Sequence, residues 1–155
     1  MATADESVSR GVLECHRAAV EQCLGQLEAR GAYGRIGART LDTQGLRTLV
    51  VEHTSSTEGH PYLHSHVLVS THVDLLDGTQ APLERAALED GWIAAQVFYF
   101  VALENEAERK LGVRFEDRGN DRAVAGVDRS LETLWLPVRC HQGISQFVAQ
   151  WRAER

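Results

Sequence analysis

Three histidines in the middle of the chain are of a type and spacing suited to metal binding. His64 and His66 form a His-x-His pair inside the apolar segment 62–68, and His53 ends the preceding apolar segment, 46–53. Side chains on a strand alternate between its two faces, so the paired imidazoles are predicted to project to the same side, about 7 Å apart at the backbone. Pairing of the two segments as neighbouring strands would bring the third imidazole to the same place.

Two strands and a loop must position these histidines. The segment 46–53 is rich in aliphatic and β-branched residues and predicts a strand, while 54–61 reads as a loop. A second, long strand is predicted from Tyr62 to about residue 75, before the turn dipeptide Asp77-Gly78. Two strands joined by a loop favour an antiparallel pair. His72 would then lie about 20 Å beyond the pair, too far to be a fourth ligand.

The other predicted elements make the fold α+β, with helices flanking an antiparallel sheet. A first helix over 11–30 would follow a flexible segment, 1–10, and His16 on it is predicted to be a surface or boundary histidine. Pro82 is expected to open a short helix that ends before Gly91, and a long apolar helix packed on the sheet should follow. The remaining predictions are a short strand or irregular crossing (33–39), the long helix (92–111), a hairpin (113–127) and two final helices (128–135 and 143–154).

Length and charge restrict the classes of function. The chain has 155 residues and a formal net charge of -6, which suits one domain, predicted over 11–155. The acidic balance argues against a broad surface for duplex DNA, since that affinity comes mainly from neutralising phosphates. Lys110 is the only lysine among 16 basic residues, and arginine side chains could still form a local groove for single-stranded DNA.

Cysteine usage and hydropathy give further expectations. Cys15, Cys23 and Cys140 are odd in number and show no Cys-x-x-Cys spacing, which argues against a disulfide framework or a cysteine zinc site. Cys15 and Cys23, on the first predicted helix, are predicted to be packing residues and not ligands. No apolar stretch approaches the roughly 20 residues that span a bilayer, and the first residues lack the pattern of a signal peptide. A cytoplasmic location without membrane contact is therefore predicted.

The histidine motif resembles the metal motif of the MobF-class conjugative relaxases, the TrwC and TraI family. The likeness lies in Val50-Val51-Glu52-His53 and in Leu63-His64-Ser65-His66-Val67, with spacings of eleven and two residues between the histidines. Pro61 falls at the family's proline. Asp77-Gly78, Leu111-Gly112 and Val124-Ala125-Gly126-Val127 also resemble the family's turn, helix end and hairpin, so the resemblance covers roughly residues 12–136.

The resemblance implies a relaxase-like His-x-His endonuclease fold in which three histidines hold a divalent cation. In such relaxases the cation polarises the scissile phosphate of single-stranded DNA while a tyrosine attacks, leaving a 5'-phosphotyrosyl link. The family's tyrosine lies far upstream of the first motif histidine, and that N-terminal catalytic segment is expected to be missing here. Thr57, His60 and Tyr62 replace the family's loop arginine, loop aspartate and glutamine, which argues against ordinary nicking.

Other residues could take over part of the chemistry. Tyr62 lies two residues before His64 on the same predicted strand face, so its hydroxyl could approach the metal as a substitute nucleophile. Tyr99, on the long helix, is a second candidate, although a rim position for Tyr62 and a core position for Tyr99 are the simpler interpretations. His60 could add a fourth ligand or an acid–base group, or be solvated in its loop.

Three functions remain open from the sequence. The first is a relaxase-like protein of conjugation that binds a divalent metal and single-stranded DNA, as an endonuclease whose tyrosine a partner could supply. The second is a metal-dependent enzyme that acts on a small molecule through the same scaffold. The third is a non-catalytic interaction module. The metal (Mg, Mn, Zn or Ni) and the oligomeric state are left open.

Overall fold

A computed structural model describes residues 6–59, 61–118 and 121–128. Within them the chain forms two long helices and eight short strands. In chain order these are α1 (Glu6–Gly31), β1 (Tyr33–Ile36), β2 (Arg39–Asp42), β3 (Thr48–Ser55), β4 (Pro61–Val69), β5 (His72–Asp74), β6 (Gln80–Pro82), α2 (Arg85–Leu111), β7 (Phe115–Arg118) and β8 (Asp121–Val124). The predicted helices 128–135 and 143–154, Cys140 and His60 lie outside the described residues.

The strands form antiparallel pairs, which confirms the predicted α+β class. β1 pairs with β2, β5 with β6 and β7 with β8, all antiparallel. β3 pairs with β4, and the Ser70 amide donates to the Arg47 carbonyl at 2.9 Å. That bond joins the end of β4 to the start of β3, as an antiparallel arrangement requires.

The chain divides into two compact units. The described part of the first holds residues 6–52 and 64–114, and that of the second holds 53–59, 61–63, 115–118 and 121–128. The first unit contains both helices. The second contains the β7–β8 hairpin, in which the Arg118 guanidinium donates to Glu116 and to the Val127 carbonyl, each at 2.7 Å. This hairpin was predicted from the sequence and is confirmed, while the prediction of one domain over 11–155 stays a prediction.

α1 and α2 pack closely because small residues line their contact. Cys15, Ala19, Cys23 and Leu27 recur every fourth residue on α1 and are buried. A Cβ atom added at Gly31 would lie 2.9 Å from the Cα atom of Leu88 on α2, so the two backbones nearly touch. The cysteines are packing residues, as predicted, and burial raises the pKa of both thiols.

The start of α1 differs from the prediction. The helix begins at Glu6, so residues 6–10 are helical and not a flexible extension. Glu6 places a negative charge in the first turn and forms an ion pair with Arg10 at 2.9 Å, one turn further on. Both interactions favour a helix start, which explains the longer element.

Pro82 does not open a helix, contrary to the prediction. It is the last residue of β6 and lies opposite His72 of β5. The strand pairing continues one residue further, where the Leu83 amide donates to the Thr71 carbonyl at 2.9 Å. The helix begins only at Arg85, and the carboxylate of its N-cap residue Glu84 accepts from the Ala86 amide.

α2 is one continuous helix, whereas the sequence predicted a break at Gly91. Gly91 is buried against α1, where a Cβ atom would make ordinary van der Waals contacts with Leu27 and Arg30 at 3.4–3.5 Å, so the position lies in the helix contact and does not end the helix. The sequence predicted that this helix packs on a sheet. In the structure α2 packs chiefly on α1. By length and composition alone it could also cross a membrane, but a core helix passes the same test.

The predicted long strand after the loop is interrupted. β4 ends at Val69 and β5 begins at His72. Between them, the Ser70 hydroxyl accepts from the His72 amide at 3.1 Å, a local bond that competes with strand pairing. His72 itself is exposed on β5, and its exclusion as a ligand stays a prediction.

Candidate functional site

The His-x-His pair lies in the middle of β4. His64 is half-buried and His66 is exposed. Strand alternation directs the two imidazoles to one face and Ser65, between them, to the other. The two ring centres are 5.1 Å apart, with an angle of 71° between the ring planes. Two potential nitrogen ligands are therefore held side by side on a regular strand.

The spacing of this pair suits a shared metal ion. With metal–nitrogen distances of about 2.0–2.1 Å and a tetrahedral angle, the centres of two coordinating imidazoles lie about 5.2 Å apart. The observed separation of 5.1 Å is close to that value. Imidazole nitrogens are ligands that Zn, Ni and other transition metals accept readily. The donor set at His64 and His66 thus fits part of a divalent metal site.

The other predicted site residues have different positions. His53 is an exposed residue near the end of β3, and Tyr62 is a half-buried residue of β4. Within residues 6–59, 61–118 and 121–128, no three His, Cys, Asp or Glu side chains form a group that could hold a metal. The ligand role of His53 and the catalytic roles of Tyr62 and His60 stay predictions.

The side of β4 opposite the pair contacts a histidine that sequence reasoning placed wrongly. His16 of α1 is only 3% exposed, so it is not a surface or boundary residue. Its Nε2 lies 2.7 Å from the Ser65 hydroxyl, and its Nδ1 lies 2.8 Å from the hydroxyl of Tyr99 on α2. Tyr99 also packs against the buried cluster around Leu27, which agrees with its core interpretation.

A signal for the burial of His16 was present in the sequence. It directly follows Cys15 and lies three residues before Ala19, so it belongs to the stripe of small residues that α1 buries. The larger apolar residues that predicted this helix are Leu13, Val20, Leu24 and Leu27, and of these only Leu27 is buried. Small side chains mark the true contact face because they allow the closest approach of the helices.

An ion pair lies close enough to His16 to act on it electrostatically. The Arg17 guanidinium donates two hydrogen bonds to the Glu52 carboxylate, each 3.0 Å long, and thereby lowers the pKa of Glu52. Both residues line an open cleft of about 580 Å³ between α1 and the β3–β4 pair. Ser65 also lines this cleft, whereas His64 and His66 do not. The histidine pair therefore faces away from α1.

Burial sets the protonation state of His16. Desolvation lowers the pKa of its imidazole below the usual 6.5, Glu52 raises it, and His64 and Arg17 lower it. A neutral imidazole donates from one nitrogen and accepts at the other. That pattern matches its two hydroxyl partners, each of which can donate or accept.

This pKa predicts a pH dependence of folding. Above pH 6.5 His16 is neutral in both states, and on acidification the unfolded chain takes up the proton first. The free energy of unfolding should therefore fall as the pH is lowered through 6.5, until the folded protein takes up the proton as well. Urea unfolding at several pH values should show a shallower fall for His16→Gln than for the matched control His72→Gln, which alters an exposed histidine. Equal slopes in both variants would contradict a buried, neutral His16.

The family model and the solved structures that match this chain belong to the same family. The model of the TrwC relaxase family matches residues 1–136. No match was found among curated proteins. Among solved structures, the chain resembles the conjugative relaxase TrwC in complex with mutant oriT DNA at 25% identity and a TM-score of 0.71, over 90% of this chain and 51% of that one.

Two further relaxase structures show the same fold. A metal-bound complex of TrwC with oriT DNA matches at 24% identity and a TM-score of 0.74, covering 91% of this chain and 50% of that one. A metal-free complex matches at 24% identity and a TM-score of 0.72, covering 94% and 51%. The chain thus spans about half the length of the solved structures that it matches.

Proposed function

Because the chain belongs to the TrwC relaxase family, we propose that it binds a divalent metal ion and single-stranded DNA. The observation that carries this proposal is the His64–His66 pair, whose 5.1 Å ring separation suits a shared metal. Support also comes from the solved relatives, which include a metal-bound complex with oriT DNA. We further propose a cytoplasmic location, since processing of an origin of transfer requires access to cellular DNA.

We assign the metal to His53, His64 and His66. The inclusion of His53 rests on the spacing of the three residues and on the pairing of β3 with β4. Three protein ligands leave coordination positions open for a phosphate oxygen. When bound, the cation would neutralise charge that develops on the phosphoryl group. The chain's own part is to hold the imidazoles in place on a rigid strand.

Cleavage of the DNA strand needs a nucleophile as well as a metal. In a relaxase-type step a tyrosine oxygen bonds to phosphorus, the bond to the departing 3' oxygen breaks, and that oxygen takes up a proton. Within this chain we propose Tyr62 as the candidate hydroxyl and His60 as the candidate proton acceptor. The alternative is that another polypeptide supplies the tyrosine. Neither the fold nor the family match favours a small-molecule substrate.

The proposal is tested by fluorescence anisotropy with a labelled single strand of about 25 nucleotides. We expect binding that Mn²⁺ strengthens. With about three phosphate contacts, doubling the salt concentration should weaken the affinity about fourfold. A duplex of the same sequence is the control and should bind more weakly, since the chain is acidic with a net charge of -6.

Two results would contradict the proposal. Absence of single-strand binding at low salt in the presence of Mn²⁺ would leave the interaction-module alternative. Equal affinity for single strand and duplex would show nonspecific phosphate attraction and not relaxase-like recognition. A covalent adduct between the protein and the strand, resistant to denaturant and lost in Tyr62→Phe, would identify Tyr62 as the nucleophile.

A further inference from the structure

A hydrogen-bond network centred on a buried histidine connects both helices to the strand that carries the histidine pair. His16 of α1 is 3% exposed and contacts the Tyr99 hydroxyl at 2.8 Å and the Ser65 hydroxyl at 2.7 Å. The imidazole and the Tyr99 ring also meet edge to face, with centres 5.7 Å apart and planes at 80°. One side chain thus joins α1, α2 and β4, and the three residues of the network, His16, Ser65 and Tyr99, all belong to the first unit.

The partner on β4 is the residue between the two paired histidines. Ser65 directly follows His64 and precedes His66, and its side chain points to the opposite face. A hydrogen bond at Ser65 therefore fixes the position and rotation of the backbone from which both imidazoles project. Movement of this peptide segment by a fraction of an ångström would change the separation of the two rings.

The chemistry of the network favours a fixed geometry. Both ring nitrogens of His16 have partners, and its lowered pKa keeps the imidazole neutral. In the described residues no buried side-chain nitrogen or oxygen lacks a hydrogen-bond partner. The imidazole at the centre of this network is buried, so a displacement that breaks its two hydrogen bonds leaves ring nitrogens that water does not reach.

We propose that His16 is a positioning residue, which holds β4 through Ser65 so that His64 and His66 keep the separation a metal requires. This rests on the proposed metal role of the pair. Partners that orient metal ligands contribute strongly to affinity, since their loss typically weakens metal binding about 10- to 100-fold. His16 acts here one step further back, through the strand and not through a bond to a ligand.

The experiment uses Ser65→Ala, which removes the hydroxyl without altering α1. In the metal-free protein we expect faster amide hydrogen exchange in β4 around residues 64–66. Calorimetric titration with Ni²⁺ should show affinity reduced about tenfold. Ser65→Thr is the matched control: it keeps a hydroxyl, suits a strand, and should restore both properties. Tyr99→Phe should give a smaller change in the same direction.

The variant Cys23→Ala distinguishes a general loss of stability from a specific effect on the metal ligands. Cys23 is buried on the same helix, and its truncation should lower the melting temperature while leaving the Ni²⁺ affinity unchanged. Unchanged β4 exchange in Ser65→Ala would overturn the positioning role, whatever the metal result. Wild-type protein that binds no Ni²⁺, Mn²⁺ or Zn²⁺ would overturn the proposed metal function. It would also overturn the role of His16 in positioning metal ligands, even if the exchange result showed that His16 holds β4 in place.

Discussion

Replacing His64 or His66 with alanine is expected to abolish stoichiometric metal binding. Each change removes one of two imidazoles whose ring centres lie 5.1 Å apart, so the remaining one can no longer chelate with its neighbour on β4. We expect the affinity for Zn²⁺ or Ni²⁺ to fall at least about 100-fold. The measurement is metal analysis of protein purified without a histidine tag, followed by calorimetric titration.

The matched control for these variants is His72→Ala, which removes an exposed histidine from β5, the next strand along the chain. Its metal content should equal that of the wild type. His53→Ala tests the third ligand separately and should weaken binding if the proposed set of three is correct. Full metal content in both His64→Ala and His66→Ala would place any metal site elsewhere in the chain.

The largest effect on stability is expected from Gly31→Ala. A Cβ atom at this position would lie 2.9 Å from the Leu88 Cα atom and 3.1 Å from the Ala87 carbonyl oxygen, both backbone atoms of α2. The helices must move apart to admit the methyl group. We expect the free energy of unfolding to fall by about 1–3 kcal/mol, measured by urea denaturation.

Gly25→Ala provides the control on the same helix. In the described part of the chain, no atom other than those of the adjacent residues and the local helix backbone lies within 4 Å of the Cβ position there, so alanine relieves only the conformational cost of glycine. This variant should be more stable by about 0.5–1 kcal/mol. Gly31 has no positive φ angle, and a destabilisation would therefore report helix contact and not backbone strain. Equal stabilisation by both substitutions would mean that the helices do not approach closely at Gly31.

Local patterns in the sequence predicted several features correctly. The alternation of strand side chains predicted that His64 and His66 share a face, and their rings do lie side by side. The absence of a Cys-x-x-Cys spacing indicated packing roles for Cys15 and Cys23, which are buried. Gly112 was predicted to end the long helix, and it adopts the left-handed conformation, with φ 67°, that suits a helix end. Each of these features depends on residues close together in sequence.

Features that depend on distant residues were not predicted. Gly91 reads as a helix break, yet it is buried against α1 and the helix continues through it. Pro82 reads as a helix start, yet residues 71–74 offer it a strand partner. Local propensity is a weak preference that tertiary contacts override.

The sequence by itself determined the spacing of the histidines, the family resemblance and the common face of His64 and His66, because each follows from the covalent order and the period of a strand. Only the tertiary structure decided what lies behind that pair. His16 is 49 residues from Ser65 and 83 residues from Tyr99 in sequence. No local pattern relates such residues, since their contact exists only once α1, α2 and β4 have packed together and excluded water from the imidazole.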